Sequence, residues 1–237
     1  MIAEPDIAKT AALLAQAPRA AMVVALMDSR ALPAGELAKL AGVSAQTAST
    51  HLKKLVDAGF LSVVSQGRHR YYRLASARIA AAIETLSAIA PLPKIRSLNE
   101  SLLMRKLSRA RTCYDHLAGQ LAIELVDALV ARGDLQPLDD GFAIMPRGVA
   151  FFGALGIEVR SLCKGNPPIA RSCIDWTQRR QHLSGPLGRE LLAALIERGY
   201  LERSRGDRAI KVEPSREQEF RDLFGFQRRF LQNAKGS

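Results

Sequence analysis

Two short segments sixty positions apart carry the same reactive residue types: Ala110-Arg111-Thr112-Cys113-Tyr114-Asp115 and Ala170-Arg171-Ser172-Cys173-Ile174-Asp175. Each is followed by a histidine, His116 in the first copy and His182 in the second. If the two copies pack against each other, Cys113, His116, Cys173 and His182 converge. Two thiolates and two imidazoles form a donor set for a soft or borderline cation, or for a metalloid. The same thiols could instead close a disulfide on oxidation. A thiol nucleophile, Cys113 or Cys173 with His and Asp nearby, is a third chemistry, although no nucleophile elbow or phosphate loop accompanies it. A fourth is a pocket for a small organic effector between the copies, with Tyr114, Phe142 and Trp176 as walls and Arg179 and Arg180 available to an anion. The cysteines are far apart in sequence and no short ligand pair stands out, so the cofactor stays open, a thiophilic metal or metalloid being one candidate.

The elements that must position these groups are written twice. Thr112-x-x-Asp115 and Ser172-x-x-Asp175 each fit a capping box, which predicts a helix start. Cys113 and Cys173 would then sit in first helical turns, where the dipole stabilises a thiolate, reinforced by Arg111 and Arg171. The plainer alternatives are cysteines acting as small buried hydrophobes and histidines hydrogen-bonded near a helix start. Downstream, Leu121, Leu125, Ala128 and Leu129 match Leu187, Leu191, Ala194 and Leu195, so one apolar helical stripe recurs. Gly133 and Gly199 stop the helices, and Ala143-Ile144 and Ala209-Ile210 keep that same offset in β-like stretches. The second copy has extra residues, Trp176 to Gln181, ahead of its histidine. Residues 110–146 and 170–212 are thus predicted as two winged-helix-like repeats within a C-terminal effector or sensor domain, 98–237. Cys163 has no counterpart in the first copy.

A different chemistry lies between Gly35 and Leu74. Leu37, Ala38 and Leu40 mark a short helix broken by Gly42, and Ser44 is suited to cap the next helix. Ala48, Leu52 and Leu55 form the inward stripe of that second helix, which Gly59 ends. Its other face carries Gln46, Thr47, Ser49, Thr50, Lys53 and Lys54, with His51 at the border. A hairpin follows, Phe60 to Ser65 and Arg68 to Leu74, with a turn at Gln66-Gly67 that presents Arg68, His69 and Arg70. This pattern is a winged helix-turn-helix, whose second helix fits the DNA major groove. Small polar groups reach base edges, and cations meet phosphates.

Leu37 to Leu61, followed by Gln66-Gly67-Arg68-His69-Arg70-Tyr71-Tyr72-Arg73-Leu74-Ala75, resembles the winged-helix domain of the ArsR/SmtB repressors over about residues 20–90. The resemblance implies a homodimer, a palindromic double-stranded operator and release by an inducer. It also implies a recognition helix from Ser44 to Ala58, with Ser44, Gln46, Thr47, Ser49, Thr50 and His51 facing DNA. Metal-sensing members place cysteines in the first helix of the motif, where this chain has Glu36-Leu37-Ala38-Lys39. Others use Asp and His on the last dimer helix, where Ser76 to Ile89 offers only Glu84. The inducer, metal or small molecule, is therefore expected to act on the C-terminal half.

The remaining features frame these sites. An apolar helix over residues 6–17 and the stripe Ile79, Ala82, Ile83, Leu86 and Ile89 suit a dimer surface. Pro18 suits a helix start, and Pro91-Leu92-Pro93 marks a boundary, giving a first domain over 1–90. The fold class expected is mainly α with short β-hairpins (α+β). The 237 residues carry a net charge of +11. Both halves are basic, which favours an anionic partner such as nucleic acid. A non-specific architectural DNA binder would share that charge. Three cysteines do not make a disulfide scaffold, and the longest early apolar run, Ala20 to Met27, is too short to span a bilayer. A cytoplasmic regulator with no membrane contact and no enzymatic activity is expected.

Overall fold

The computed structural model describes residues 4–67, 69–92, 94–95, 97–162 and 168–226. Arg68, Pro93 and Cys163, named above, lie outside them. The chain divides between Leu86 and Ser87 into two compact units. The division falls inside a helix, a few residues before the expected boundary at 90.

In the first unit, α1 (Ile7–Leu14) and α2 (Ala17–Ala25) are the two helices expected on either side of Pro18, the first ending three residues before the expected 17 and the second ending before Asp28. The buried guanidinium of Arg19 donates to the carbonyls of Ala12 and Leu13, which α1 leaves open at its end. β1 (Leu32–Pro33), α3 (Ala34–Leu40) and α4 (Ala45–Asp57) follow. Gly42, between α3 and α4, takes φ of 64°, a left-handed turn that a side chain would oppose. The wing is β2 (Leu61–Gln66) and β3 (His69–Leu74), and β1 pairs with β3 to give the order β1-β3-β2. α5 (Ala77–Ile89) closes the motif. Met22, Leu26, Leu37, Leu52, Leu55 and Leu74 fill the core beneath these elements.

The second unit opens with α6 (Leu98–Arg109), then β4 (Arg111–Cys113), β5 (His116–Ala118) and α7 (Gln120–Ala131). β6 (Leu135–Leu138), β7 (Gly141–Ile144), α8 (Pro146–Ala154) and α9 (Val159–Leu162) complete the first copy. The second copy runs β8 (Arg171–Ile174), β9 (Gln181–Ser184), α10 (Gly185–Glu197), β10 (Leu201–Arg203), β11 (Ile210–Val212), a 3-10 turn Pro214–Arg216 and α11 (Glu217–Phe224). Each copy is therefore hairpin, helix, hairpin, helical segment.

The two copies exchange hairpins. The second hairpin of copy one joins the first hairpin of copy two in the sheet β6-β7-β8-β9. Reciprocally, Arg111 bridges Ala209, so β4-β5 meets β10-β11. The amides of Phe142 and Ile210 donate to the carbonyls of Ala170 and Ala110, both at 2.9 Å. α7 and α10 bury Leu121, Leu125, Leu129, Leu187, Leu191 and Leu195 against each other's copy, with Phe152, Phe220 and Phe224 alongside.

The capping-box expectations are corrected. The Thr112/Asp115 and Ser172/Asp175 segments are hairpins, not helix starts, so neither cysteine lies in a helical first turn. The helices begin after Gly119 and at Gly185, because each glycine adopts positive φ and turns the chain from strand into helix. Ile144 and Ile210 both lie in strands, β7 and β11, but at different register: Ile144 pairs with Leu135, whereas Val212 pairs with Leu201. The second-copy hairpin loop is two residues longer, which shifts the offset of its last strand.

Candidate functional site

Two constellations carry chemistry, one in each unit. In the first unit, the Ser44 hydroxyl caps α4 by accepting from the Thr47 amide at 3.2 Å. Ala48, Leu52 and Leu55 face inward, which leaves Gln46, Thr47, Ser49, Thr50 and Lys53 exposed on the other side. The Ser49 and Thr50 hydroxyls donate to the carbonyls of Ala45 and Gln46, at 3.0 and 3.2 Å. Their lone pairs are left to accept from outside. Lys53 Nζ lies 2.7 Å from Asp57 Oδ2, a surface pair that yields readily to another anion. His51 is half-buried at the border of the face.

In the wing, His69 and Arg70 are exposed near its tip, where Gln66 pairs with His69 across the strands. The Arg70 guanidinium sits 5.8 Å from the centre of the Tyr72 ring, which fixes its stem while leaving the head exposed. One helix face and one wing thus present polar and cationic groups over a buried apolar base.

The second constellation follows from strand register. Cys113 and His116 are directly opposed in β4-β5, and Cys173 and His182 are directly opposed in β8-β9. Opposed residues in an antiparallel pair share a face, so each hairpin presents one Cys–His pair. The exchanged packing sets the two pairs together: one donor atom from each of the four residues lies within 4.8 Å of all the others. The cysteine sulfurs are 3.8 Å apart and not joined in a disulfide. The two imidazole rings stack at 5.2 Å with 28° between planes. Cys113 and His182 have no exposed surface.

Electrostatics at this cluster follow from that crowding. The adjacent Cys113 sulfur, foremost, and then the two imidazoles hold the Cys173 thiol far below its usual range, against the opposing effect of burial. Burial lowers the His116 value, but Asp115 and Cys173 outweigh it and raise it to about 9. His116 Nδ1 lies 3.3 Å from Asp115 Oδ1, an arrangement in which Nδ1–H donates to the carboxylate. His116 Nε2 and both ring nitrogens of His182 make no hydrogen bond of acceptable geometry.

Residues to which the sequence suggested other roles hold the cluster in place. The fully buried Arg111 donates from Nη2 to Asp175 Oδ2 at 2.8 Å and from Nη1 to the Leu107 carbonyl at 3.1 Å. Its guanidinium also stacks on Trp176 at 4.6 Å. Asp175 further accepts from the amides of Gly119, Thr177 and Gln178. It closes a turn and ties the copies together instead of capping a helix. Arg111 holds its carboxyl below the usual range, with help from Thr177 and the amides, against burial. Arg111 and Asp175 were both visible as repeat residues, but their pairing across the copies had no local signature.

The five residues expected to wall an organic pocket have separate engagements. Phe142 is buried in the core, Trp176 stacks on Arg111, and Arg180 donates to Asp127 at 2.7 Å. Tyr114 and Arg179 occupy turn positions with positive φ. An apolar seam between α7 and α10 is lined by Leu117, Val126, Leu129, Leu183, Leu191 and Leu195, and none of the five borders it.

Among the described residues, no helix is long and apolar enough to cross a membrane. A family described as a helix-turn-helix domain matches residues 14–64, which span α2 to the wing's first strand. Over 211 residues the chain is 44% identical to YdfF, an HTH-type transcriptional regulator of Bacillus subtilis (strain 168), covering 89% of this chain and 93% of that protein. Among solved structures it is similar to the transcriptional repressor BigR from Xylella fastidiosa, with 24% identity, 37% of this chain and 89% of that one covered, and a TM-score of 0.34. It is also similar to the cadmium sensor CmtR from Mycobacterium tuberculosis, with 28% identity, 38% and 98% covered, and a TM-score of 0.30. The near full-length likeness to YdfF carries the assignment: the chain belongs to the family of helix-turn-helix transcriptional regulators.

Proposed function

We propose that the protein is an ArsR/SmtB-type repressor that binds a palindromic operator as a homodimer and responds to an effector through its C-terminal unit. The observation that carries this reading is the exposed polar face of α4 beside a cationic wing, over a fully apolar inner stripe. α4 would lie in the major groove, with Gln46 and Thr50 reaching base edges and Ser44, Thr47, Ser49 and Lys53 meeting the backbone. Gln46 has a side chain able to make a bidentate contact with adenine. His69 and Arg70, with Arg68, would reach the flanking phosphates or the minor groove.

The dimer reading rests on apolar groups without cover in the single chain: Ile7 on α1, and Leu86 and Ile89 on α5. A second copy would cover them and set two recognition helices one helical turn apart. The effector would favour a state in which those helices mismatch the operator, so effector and DNA would weaken each other reciprocally. A thiol-dependent enzyme using Cys113 fits less well, because that thiol offers no surface to a substrate, whereas Cys173 is only half-buried.

Operator affinity measured across a salt series tests the reading. Gln46→Ala and Thr50→Ala should each cost about 1–3 kcal/mol on the operator and little on unrelated DNA. Arg70→Ala should weaken both and lower the salt slope by about 1. Unchanged affinity and slope in all three variants would sink the assignment.

A further inference from the structure

We propose that Cys113, His116, Cys173 and His182 form a closed tetrahedral site for a thiophilic divalent cation of the zinc class, which fastens the two repeats of the C-terminal unit to each other. The first support is metric. Metal–sulfur bonds of about 2.3 Å in a tetrahedral site put two sulfurs about 3.8 Å apart, which is the separation seen between Cys113 and Cys173. A disulfide needs about 2.05 Å, so the sulfurs stand at the spacing of shared ligation and not of a bond.

The second support is satisfaction. Three buried ring nitrogens, His116 Nε2 and both of His182, have no well-formed hydrogen bond, and the polar group both rings approach is the Cys173 sulfur. Orphaned buried nitrogens are costly, and a cation would engage one on each ring. The third is orientation. Asp115 sits at His116 Nδ1, which fixes the tautomer that leaves Nε2 as the ligand, the carboxylate–histidine–metal arrangement of many such sites. The fourth is charge. Two thiolates and a dication sum to zero, which suits a site with two fully buried ligands.

The donor set also defines the ligand class. Two sulfurs and two imidazoles favour zinc or its heavier congeners over magnesium or calcium, which require oxygen. Four protein ligands leave no open position, which is the pattern of a structural site and not a catalytic one. The chain architecture explains why the ligands come in pairs. Each hairpin supplies one opposed Cys–His pair, so neither repeat alone can complete the shell. Cation binding therefore acts between the copies, alongside the Arg111–Asp175 pair. This site stands independently of the operator reading, since its test does not involve DNA.

The full chain, reduced and stripped of metal with a chelator, would be titrated with Co(II) and then Zn(II). The expected result is a single cation per chain. Co(II) should give the intense visible bands of tetrahedral coordination and sulfur-to-cobalt charge transfer, both abolished by Zn(II). Cys113→Ser and Cys173→Ser should lose the charge-transfer band stepwise and weaken binding by about 100-fold or more. His182→Gln should do likewise in affinity while keeping both sulfur transitions. Asp115→Asn, a positioning variant, should weaken binding by about 10- to 100-fold and leave the tetrahedral spectrum intact. Circular dichroism of each variant separates loss of a ligand from loss of the fold. If a folded, reduced chain takes up no cation, shows only weak octahedral bands, or binds equally well in folded Cys113→Ser, the proposal is overturned.

Discussion

Replacing Asp175 by Asn tests the account of how the C-terminal unit is held together. The carboxylate has no exposed surface and accepts from Arg111 at 2.8 Å and from the Gly119 amide at 2.6 Å. Its other oxygen accepts from the Thr177 amide and hydroxyl and from the Gln178 amide. Asn keeps the shape but leaves the Arg111 guanidinium buried without a counter-charge. Breaking a buried pair from one side costs about 3–5 kcal/mol, because the remaining charge is left uncompensated. The Asn oxygen retains some of the turn hydrogen bonds, so the lower end, about 3 kcal/mol, is expected. For a unit of this size that corresponds to a fall in Tm of roughly 6–12 °C. Calorimetry on metal-loaded protein, with the C-terminal transition followed by the fluorescence of Trp176, reads the loss. Adding Arg111→Met to the same chain should return part of it, since no orphaned charge then remains. A loss under about 1 kcal/mol in Asp175→Asn, or no recovery in the double variant, would mean that the buried Arg111–Asp175 pair does not hold the two copies together.

Three further predictions concern separate parts of the fold. Burial, foremost, raises the half-buried Glu124 carboxyl from 4.5 to about 7, so the folded state holds its proton more tightly than the unfolded chain. Its contribution is fully present below about pH 4.5 and is lost as pH rises through about 7; after discounting for solvent screening, Glu124→Gln should remove about 1 kcal/mol of that slope in urea melts at a series of pH values. A methyl group at Gly188 would lie 2.7 Å from the Leu183 carbonyl oxygen and 3.3 Å from His116 Cβ, so Gly188→Ala should destabilise by about 1–3 kcal/mol and weaken Co(II) binding, both read in the same titration. Ser44→Ala removes the cap of α4 and should cost about 1 kcal/mol by chemical denaturation, with a loss of operator affinity.

The two units differed in how openly they were written. α4 was legible because a side-chain cap, an apolar stripe at helical spacing and a terminal glycine all act within one short segment. The wing was legible for similar reasons, its turn marked by Gln66-Gly67. In the C-terminal unit the repeat and the four Cys and His residues were visible, but their scaffold was misread. Thr-x-x-Asp fits a capping box, and the same residue types also suit a tight hairpin such as Cys113-Tyr114-Asp115-His116, where Tyr114 takes φ of 58°. With strands of only three or four residues, no alternation was long enough to decide between them. Read as a hairpin, Cys113-x-x-His116 is itself a short ligand pair, which a helical reading hides. The Arg111–Asp175 pair and the exchange of hairpins between copies depend on contacts between residues far apart in sequence, from Phe142 with Ala170 to Arg111 with Ala209, which no local pattern records.

The proposed function requires α4 and the wing to read a specific, twofold-symmetric DNA sequence. Selection of bound duplexes from a random-sequence pool by the full-length protein tests it most directly. The expected result is enrichment of an inverted repeat with half-sites about one helical turn apart, lost or altered at single positions in Gln46→Ala. A pool that binds strongly yet yields no preferred sequence would contradict it, and would make the protein an architectural binder that holds DNA by charge alone.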